Sequence, residues 1–402
     1  MPDSSLRSKL LPGIALIILA ISLLYTLLPE LPKSGDRNLY THQAQAFLHL
    51  QADIATSHYD VATYNGRYYV PFPPFPAVVL LPFVAVFGVV GTRPVIVAVL
   101  LAILSVFIFG RILCKLAIER RSAIWLTAAF FMGTGYWYVL ANTAGVWFFA
   151  HVIAITCVLL AINEALGGGR SWLVGLLIGL AFLSRQLNLF TGIFLLTLLW
   201  QRSTDRPLPH RLLKVFAFTA PVTLAIVAYL AFNWIRFGNP LDTGYGYFAL
   251  PGFLQQRVER HGLFSLAYVP FNFVHLFLQG FDIHFAPPTF TSGLEMSSFG
   301  TSITFASPFL FAAFAARWPR HLLWAAWLSI FIIVLQLLTY FVNGWVQVNT
   351  QRYALDFIPI VMVLAAVGTK HVDGRWWKAA VIYAITLNIL ALVVIPIAGR
   401  LF

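Results

Sequence analysis

Charged side chains are scarce in this sequence: they make up 10% of its 402 residues, whereas hydrophobic residues make up 60%. A soluble domain averages about 25% charged residues. With so little charge, a chain of this length cannot cover itself with a water-compatible surface. Its apolar stretches repeat at the length, about 17 to 25 residues, that crosses a bilayer as a helix. Because backbone groups in lipid must be satisfied within each segment, the composition predicts an all-α, polytopic membrane protein.

Cysteine is also scarce, and so are the motifs of nucleotide chemistry. Cys114 and Cys157 are the only cysteines, which excludes a disulfide framework. No cluster of Cys and His has the spacing of a zinc site. No strand leads into a glycine-rich phosphate loop, and no Asp-x-Asp metal motif occurs. These absences disfavour an enzyme that uses a nucleotide-sugar donor.

Positively charged residues are in excess, and they lie mainly in the loops. The net charge is +12, but Lys and Arg cluster in short connections such as residues 111–121 and 202–214. Such clusters are typical of cytoplasmic loops and not of a nucleic-acid surface. The first apolar stretch follows basic residues and lacks a small-residue cleavage site, so we interpret it as an uncleaved anchor. We therefore expect a cytoplasmic N-terminus and no nucleic-acid partner.

Hydropathy and loop charge together predict about eleven transmembrane helices in a single domain, residues 1–402. The predicted spans are residues 10–28, 94–112, 122–140, 145–163, 171–184, 186–200, 215–233, 303–316, 322–341, 357–369 and 379–397. Several are short and must tilt or extend into loops. If residues 78–90 crossed the membrane fully, the basic cluster at residues 111–121 would lie on the outer side. We therefore expect residues 78–90 to be re-entrant.

Two long loops then lie outside, at residues 30–76 and 236–300, and each is expected to carry an amphipathic helix. On this map nine of the 14 acidic residues are external: Glu30, Asp36, Asp53, Asp60, Asp242, Glu259, Asp282, Glu295 and Asp356. Membrane orientation depends chiefly on Lys and Arg, so insertion does not require these acids. Their position favours a polar active site on the outer face.

The first external loop begins with Gly35 and Asp36, and the pattern of residues 39–50 predicts an amphipathic helix on the membrane surface. Asp36 is suited either to capping that helix or to chemistry. Further on, Asn65-Gly66 predicts a tight hairpin turn. The tyrosines around that turn are typical of an interfacial aromatic belt, or alternatively of a platform for a sugar and an isoprenoid tail.

Five motifs together resemble a known family. They are Gly35-Asp36 after the first span, the run from Asp60 through Tyr64-Asn65-Gly66-Arg67-Tyr68-Tyr69 to the Pro-rich return, Trp147 to His151, Gly179 to Arg185, and Gln351 to Pro359. In this arrangement the chain resembles the GT-C superfamily of integral-membrane glycosyltransferases. It is most similar to bacterial relatives of the protein O-mannosyltransferases and to the aminoarabinose transferases of lipid A.

The resemblance implies a polyprenyl-phosphate sugar donor and transfer with inversion to an extracytoplasmic hydroxyl of a glycan, lipid or protein. It also implies a bacterial inner-membrane location and a role in the cell envelope. An aspartate just after the first span acts as the general base in such enzymes, and Asp36 matches it. A positioned carboxylate can take the proton of the attacking hydroxyl.

The donor phosphate requires fixed positive charge at the outer interface. Arg185, Arg352 and, more weakly, Arg67 are the candidates, because the planar guanidinium matches phosphate oxygens and keeps its charge. The alternative for Arg185 and Arg352 is an anchor whose charged end reaches the interface. The predicted substrate contacts are Tyr64, Tyr68, Tyr69, His151, Asp60, Asp242 and Tyr353. For His151 the alternative is a packed, hydrogen-bonded side chain, and for Asp242 an ordinary surface loop.

No cofactor follows from these residues with certainty. They leave open a divalent metal ion held by Asp36, Asp60 or Asp242 together with the donor phosphate. A secondary transporter, or a flippase or ligase of lipid-linked glycans, remains the alternative function. A transporter usually shows related halves with broken helices at the midplane. We find no such repeat, and the ionisable residues collect at the outer face.

Overall fold

The computed structural model describes residues 4–247, 250–285, 294–344 and 351–401. The α-helices are α1 Ser4–Leu27, α2 Leu39–Leu48, α3 Phe75–Gly91, α4 Pro94–Lys115, α5 Arg120–Gly133, α6 Tyr136–Ala141, α7 Val146–Leu166, α8 Ser171–Phe182, α9 Thr191–Gln201, α10 Leu208–Phe237, α11 Gly252–His261, α12 Val269–Phe273, α13 Ile303–Ala306, α14 Arg320–Thr339, α15 Ile358–Gly368, α16 Gly374–Ile389 and α17 Ile395–Leu401. The strands β1 Ala62–Tyr64 and β2 Arg67–Tyr69 pair with each other, as do β3 Ile283–Phe285 and β4 Leu294–Met296. Short 3₁₀ helices occupy Gly35–Arg37, Gln186–Phe190, Tyr245–Tyr247, Leu266–Tyr268, Pro308–Ala315, Arg352–Asp356 and Thr369–His371, and π-helical turns occupy Val274–Leu278 and Leu390–Val394.

The chain is a multi-pass helical membrane protein, as its composition predicted. Within the described residues, five helices are long and apolar enough to cross a membrane: Pro94–Lys115, Val146–Leu166, Leu208–Phe237, Arg320–Thr339 and Gly374–Gly399. Shorter apolar helices accompany them at Leu16–Leu27, Phe75–Gly91, Ser171–Phe182, Gln186–Gln201, Leu266–Leu278 and Ile358–His371.

The structure divides or adds to some predicted spans. Residues 122–140 form two helices because Thr134 is extended between them, where its hydroxyl donates to the Phe130 carbonyl (2.6 Å) and accepts from the Tyr136 N–H (3.2 Å). Residues 303–316 are likewise divided, between α13 and a 3₁₀ helix. The apolar helix Leu266–Leu278 lies inside the predicted second external loop, where an amphipathic helix but no transmembrane span was expected.

The predicted re-entrant stretch belongs to α3. This helix starts directly after the Pro-rich return and has 17 residues, which span about 25 Å at 1.5 Å per residue. Gly88 departs from helical geometry with a φ of 66°, a conformation that glycine adopts without steric penalty. The helix is thus shorter than the roughly 30 Å of a bilayer core, and its re-entrant course stays a prediction.

Helix α7 lies at the centre of the bundle and is buried around most of its circumference. Helix α8 packs beside α7, and it approaches α10 closely because α8 carries glycines on the face that it shares with α10. A Cβ at Gly175 would clash with the Phe218 carbonyl, and one at Gly179 would stand 2.8 Å from the Ala225 side chain. This close approach fixes the end of α8, where Arg185 follows.

Helix α2 differs from the helix expected on the membrane surface. Its side chains at Leu39, Tyr40 and Ala44 are buried, and it packs against α3. Its N-cap is Asn38, whose side chain accepts from the Tyr40 N–H (3.0 Å) and donates to the Thr143 carbonyl (3.2 Å). The cap therefore also ties the first loop to the bundle, which holds α2 inward.

Candidate functional site

The two long loops meet the helix ends around a cavity of about 380 Å³. We call this the polar cavity. Its walls include Tyr40 of α2, Asp60 of the first loop, Trp147 of α7 and residues at the end of α14. Further lining residues are 72–73, 150, 184–187, 229, 243, 245, 250–251, 254, 263–264 and 352–353. Segments far apart in sequence therefore supply one pocket, which is mostly apolar with a few convergent polar groups, as is typical of ligand sites.

Arg185 lies in the polar cavity and forms a two-bond ion pair with Asp356. Its Nε donates to Oδ1 of Asp356 (2.6 Å) and its Nη2 to Oδ2 (2.7 Å). The Arg185 side chain is 17% exposed and that of Asp356 1%. Asn188 also donates to the carboxylate (3.4 Å), and the Arg185 guanidinium carbon lies 5.1 Å from the Tyr353 ring centroid. The pair holds the guanidinium in one orientation at the cavity wall.

Asp356 was not among the predicted site residues. Its position 171 residues from Arg185 is invisible to a sequence pattern. A signal that could have identified it is its position as an acidic side chain at the entry to the apolar helix α15, since ionisable residues at that depth usually have a partner.

Removal of the Asp356 carboxylate is expected to destabilise the fold strongly. In Asp356→Ala the buried guanidinium of Arg185 loses its partner, at a cost of about 3–5 kcal/mol. The matched control is Glu164→Ala, because Glu164 accepts three bonds (3.0 Å each) from Arg170, one from its backbone N–H and two from its side chain, which is 60% exposed. Since water solvates the Arg170 guanidinium when Glu164 is removed, the loss of stability should be much smaller. Thermal unfolding in detergent measures the stability of both variants. Equally small losses of stability would contradict the interdependence of Arg185 and Asp356.

His151 lies behind the cavity wall and not among the described residues that line it. It is fully buried, its Nδ1 stands 3.8 Å from Oδ1 of Asp356, and its ring centroid is 6.2 Å from that of Tyr353. Neither ring nitrogen has a hydrogen-bond partner among the described residues. It thus supports the segment that carries Tyr353, and contact with a substrate stays a prediction.

Arg352 lines the polar cavity from the start of the 3₁₀ helix Arg352–Asp356. Its side chain is buried, and its guanidinium carbon is 5.2 Å from the Trp147 ring centroid, 4.9 Å from Phe148 and 5.3 Å from Tyr353. Aromatic faces stabilise a cation that has left water. Arg352 and Arg185 therefore place two permanent positive charges on one pocket, and their role toward a phosphate stays a prediction.

Asp60 faces the same pocket from the first loop. Its φ of 63° lies in the left-handed region, which aspartate tolerates better than most residues. Burial raises the pKa of its carboxyl to about 6, and the positive charge of Arg352 partly offsets that rise. Its Oδ2 is buried and has no hydrogen-bond partner within the described part of the chain. Asp60 thus presents a carboxylate to the cavity with one oxygen unengaged.

Asp36 lies outside the described lining of the cavity. It is exposed in the 3₁₀ turn Gly35–Arg37, next to the first turn of α2. A Cβ at Gly35 would clash with the Val89 carbonyl, so glycine is required where this turn crosses α3. The His42 ring nitrogen Nε2 lies 3.0 Å from the Asp36 carbonyl oxygen, and the His42 ring is tilted by 47° against that of His58, with centroids 4.5 Å apart.

The capping role considered for Asp36 belongs instead to Asn38. Burial and then the neighbouring His42 lower the pKa of His58, and the nearby Asp36 partly offsets that shift. Asp36 is thus an exposed carboxylate beside two histidines, four residues before Tyr40, which lines the cavity.

The hairpin forms where Asn65-Gly66 predicted it, with φ values of 49° and 74° and strands β1 and β2 on either side. Its tyrosines pack against other residues. Tyr64 and Tyr69 lie against Phe237 (centroids 5.7 and 5.4 Å), and Tyr68 packs on the main core. Arg67 is 65% exposed, 3.7 Å from Asp53. None of these four predicted contacts is among the described residues that line the polar cavity.

Asp242 closes a turn in the second loop. Its carboxylate accepts from the Gly244 N–H (2.9 Å) and from the Tyr247 hydroxyl (2.6 Å). That turn places Tyr245 in the cavity wall, against Phe72 with ring centroids 6.1 Å apart. Tyr245 had not been predicted, because its place depends on the loop conformation.

A metal site was left open by the sequence. Among the described residues, no three His, Cys, Asp or Glu side chains come together in a way that could hold a metal ion. Asp36, Asp60 and Asp242 thus do not form a ligand set in that part of the chain.

No family model and no curated protein matches the sequence. The structure is similar to the crystal structure of ArnT from Cupriavidus metallidurans bound to undecaprenyl phosphate, with a TM-score of 0.52, 17% sequence identity and coverage of 92% of this chain and 62% of ArnT. The apo structure of the same protein gives a TM-score of 0.49 at 17% identity, covering 93% of this chain and 63% of ArnT. The chain spans less than two thirds of the length of ArnT.

The likeness shows that the chain has the fold of ArnT. The resemblance seen in the sequence motifs is therefore confirmed at the level of the fold.

Proposed function

We propose that the protein transfers a sugar from a polyprenyl-phosphate donor to a hydroxyl acceptor on the extracytoplasmic face of a bacterial inner membrane, with inversion at the anomeric carbon. The observation that carries the proposal is the polar cavity, in which Arg185 and Arg352 place fixed positive charge within apolar and aromatic walls. As the donor reacts, its phosphate changes from a diester into a monoester and gains negative charge. Preorganised cations favour that change most strongly in the transition state.

The lipid part of the donor is supported by two further observations. The structural neighbour ArnT was crystallised with undecaprenyl phosphate. In this chain a second cavity, of about 320 Å³ and almost entirely apolar, lies beside α14. Helix α14 contributes to both cavities, with Val334 in the apolar one and Leu337 in the polar one, and Tyr340, which follows the helix, also lines the polar cavity. A donor with a charged head and an isoprenoid tail matches that combination.

We assign Asp36 as the general base. Its exposed position beside the first turn of α2 suits an acceptor that approaches from the solvent side, because a glycan, lipid or protein acceptor need not fit inside the polar cavity. The carboxylate takes the proton of the attacking hydroxyl while the arginines hold the departing phosphate. The acceptor oxygen forms a bond to the anomeric carbon as the bond to the phosphate oxygen breaks, which inverts that carbon.

Turnover tests this function directly. The purified protein is expected to retain polyprenyl-phosphate lipids, detected by mass spectrometry of extracted lipids. In proteoliposomes with undecaprenyl-phosphate hexoses and aminopentoses, it should release undecaprenyl phosphate and glycosylate an added envelope fraction. Movement of the intact sugar lipid across the bilayer without any release of undecaprenyl phosphate would contradict the proposal and favour a flippase.

A further inference from the structure

Asp60 and Arg352 present opposite charges to the same cavity in which we place the donor phosphate. Resting on that proposed function, we propose that Asp60 is the counter-charge of Arg352 and that the donor phosphate replaces it, with uptake of one proton by the Asp60 carboxyl. The site would then exchange one anion for another and would not add a second negative charge. The ligand class is a phosphodiester monoanion on a polyprenyl chain.

The geometry favours a role for Asp60 in the ligand site over a role in stabilising its loop. An aspartate that only stabilises a loop engages its oxygens, as Asp242 does with Gly244 and Tyr247. In Asp60, by contrast, the buried Oδ2 has no hydrogen-bond partner among the described residues. A left-handed backbone nevertheless holds this side chain at the cavity wall. Strained, unengaged groups of this kind concentrate at functional sites.

The charges around Asp60 determine the direction of the exchange. Arg352, Arg185 and Tyr40 line the same cavity as Asp60, and Arg352 is close enough to act on the Asp60 carboxyl electrostatically. Tyr59 precedes it in the loop, with Arg37 nearby, and Tyr138 lies near Arg352. The tyrosines are neutral in the pH range concerned, and the Asp356 carboxylate already engages Arg185. Arg352 cannot lose its proton, so Asp60 is the group in this set able to change charge near neutrality.

Bringing a phosphate beside Arg352 places two anions in one partly buried pocket. Two like charges in a shared site raise the pKa of one of them. The pKa of the Asp60 carboxyl is already raised to about 6 by burial, so a further rise carries it above neutral pH. Asp60 then takes a proton from solvent as the phosphate enters and returns it as the phosphate leaves. The carboxyl formed in this way can donate a hydrogen bond to the phosphate oxygen.

Binding of a polyprenyl methyl phosphodiester tests the exchange, because that probe keeps a single negative charge across the pH range used. With full-length protein in detergent and EDTA, the dissociation constant should rise about 50-fold between pH 6 and pH 8, the value for one proton and a group of pKa about 6. The sign follows from Asp60 being ionised above its pKa, where it repels the ligand. Calorimetry in buffers of different ionisation enthalpy should show uptake of about one proton at pH 7.5.

In Asp60→Asn the affinity should be independent of pH and at least equal to that of the wild type at pH 6. The matched control is Asp53→Asn, which removes an acid of the same loop that lies near the exposed Arg67. Its affinity should depend on pH as steeply as that of the wild type.

Wild-type binding without proton uptake would overturn the exchange and leave the proposed function intact, as would a pH dependence of binding that persists in Asp60→Asn. If the wild type binds no phosphodiester at any pH, the donor class proposed above fails, and the exchange with it. The calorimetric measurement uses only the wild-type protein, so it tests the exchange even if Asp60→Asn does not fold.

Discussion

Asp36→Asn is expected to abolish transfer from an undecaprenyl-phosphate sugar while leaving donor binding unchanged. The amide cannot accept the proton of the attacking hydroxyl, and a positioned general base contributes about 10²- to 10⁴-fold to rate. Because Asp36 is exposed, its substitution should not alter thermal unfolding. The loss should therefore appear in kcat and not in the KM for the donor, measured as release of undecaprenyl phosphate in proteoliposomes.

Two variants of the same loop make this result specific. Asp53→Asn removes another acid of the loop, beside the exposed Arg67, and should retain activity. Asp60→Asn should change the pH dependence of donor binding, whereas Asp36→Asn should not. If Asp36→Asn transfers sugar at near the wild-type rate, Asp36 is not the base, and Asp60 becomes the next carboxylate to test because it faces the cavity.

Arg352→Lys is the second change with a large expected effect. Lysine keeps the charge but loses the planar fork that fits two phosphate oxygens and stacks on Trp147 and Phe148. A hydrogen bond to a charged group contributes about 1.5–3 kcal/mol, which corresponds to a 10- to 150-fold rise in the KM for the donor. The KM for the acceptor should change little, because the acceptor approaches from the side of Asp36.

A buried arginine elsewhere provides the matched control for that experiment. Arg236 is 2% exposed and donates to the Val70 carbonyl and to Oδ1 of Asn233 (2.6 Å), so its bonds are structural. Arg236→Lys should lower the thermal stability and leave the ratio of the donor KM to the acceptor KM unchanged. Equal rises in both KM values for Arg352→Lys would indicate that Arg352 supports folding and does not hold the phosphate.

Much of the candidate site was accessible from the sequence because each signal was local. Arg185 and Arg352 stand out as arginines at the ends of apolar runs, where charge is costly unless it has a partner. The hairpin followed from Asn65-Gly66, whose residues adopt the positive φ values that a tight turn requires. The structure confirms the hairpin and brings both arginines to one cavity, although their roles toward a phosphate stay predictions.

What the sequence did not reveal depended on contacts between distant segments. The pairing of Arg185 with Asp356 joins residues 171 positions apart, and no periodicity encodes it. The sequence offered Tyr64 and Tyr69 as part of a platform for a sugar, yet in the fold they pack on Phe237. A tyrosine that packs and a tyrosine that binds have the same sequence signal, because both lie at an apolar surface.

By itself, the sequence determined that the protein lies in a membrane as a bundle of helices. Scarce charge and long apolar runs leave no other way to satisfy the backbone and cover the surface. Only the tertiary structure decided which of the few ionisable groups meet. It buries Asp356 against Arg185, leaves Asp36 exposed and turns Asp60 into the cavity, because burial and distance to a partner set the energy of each charge.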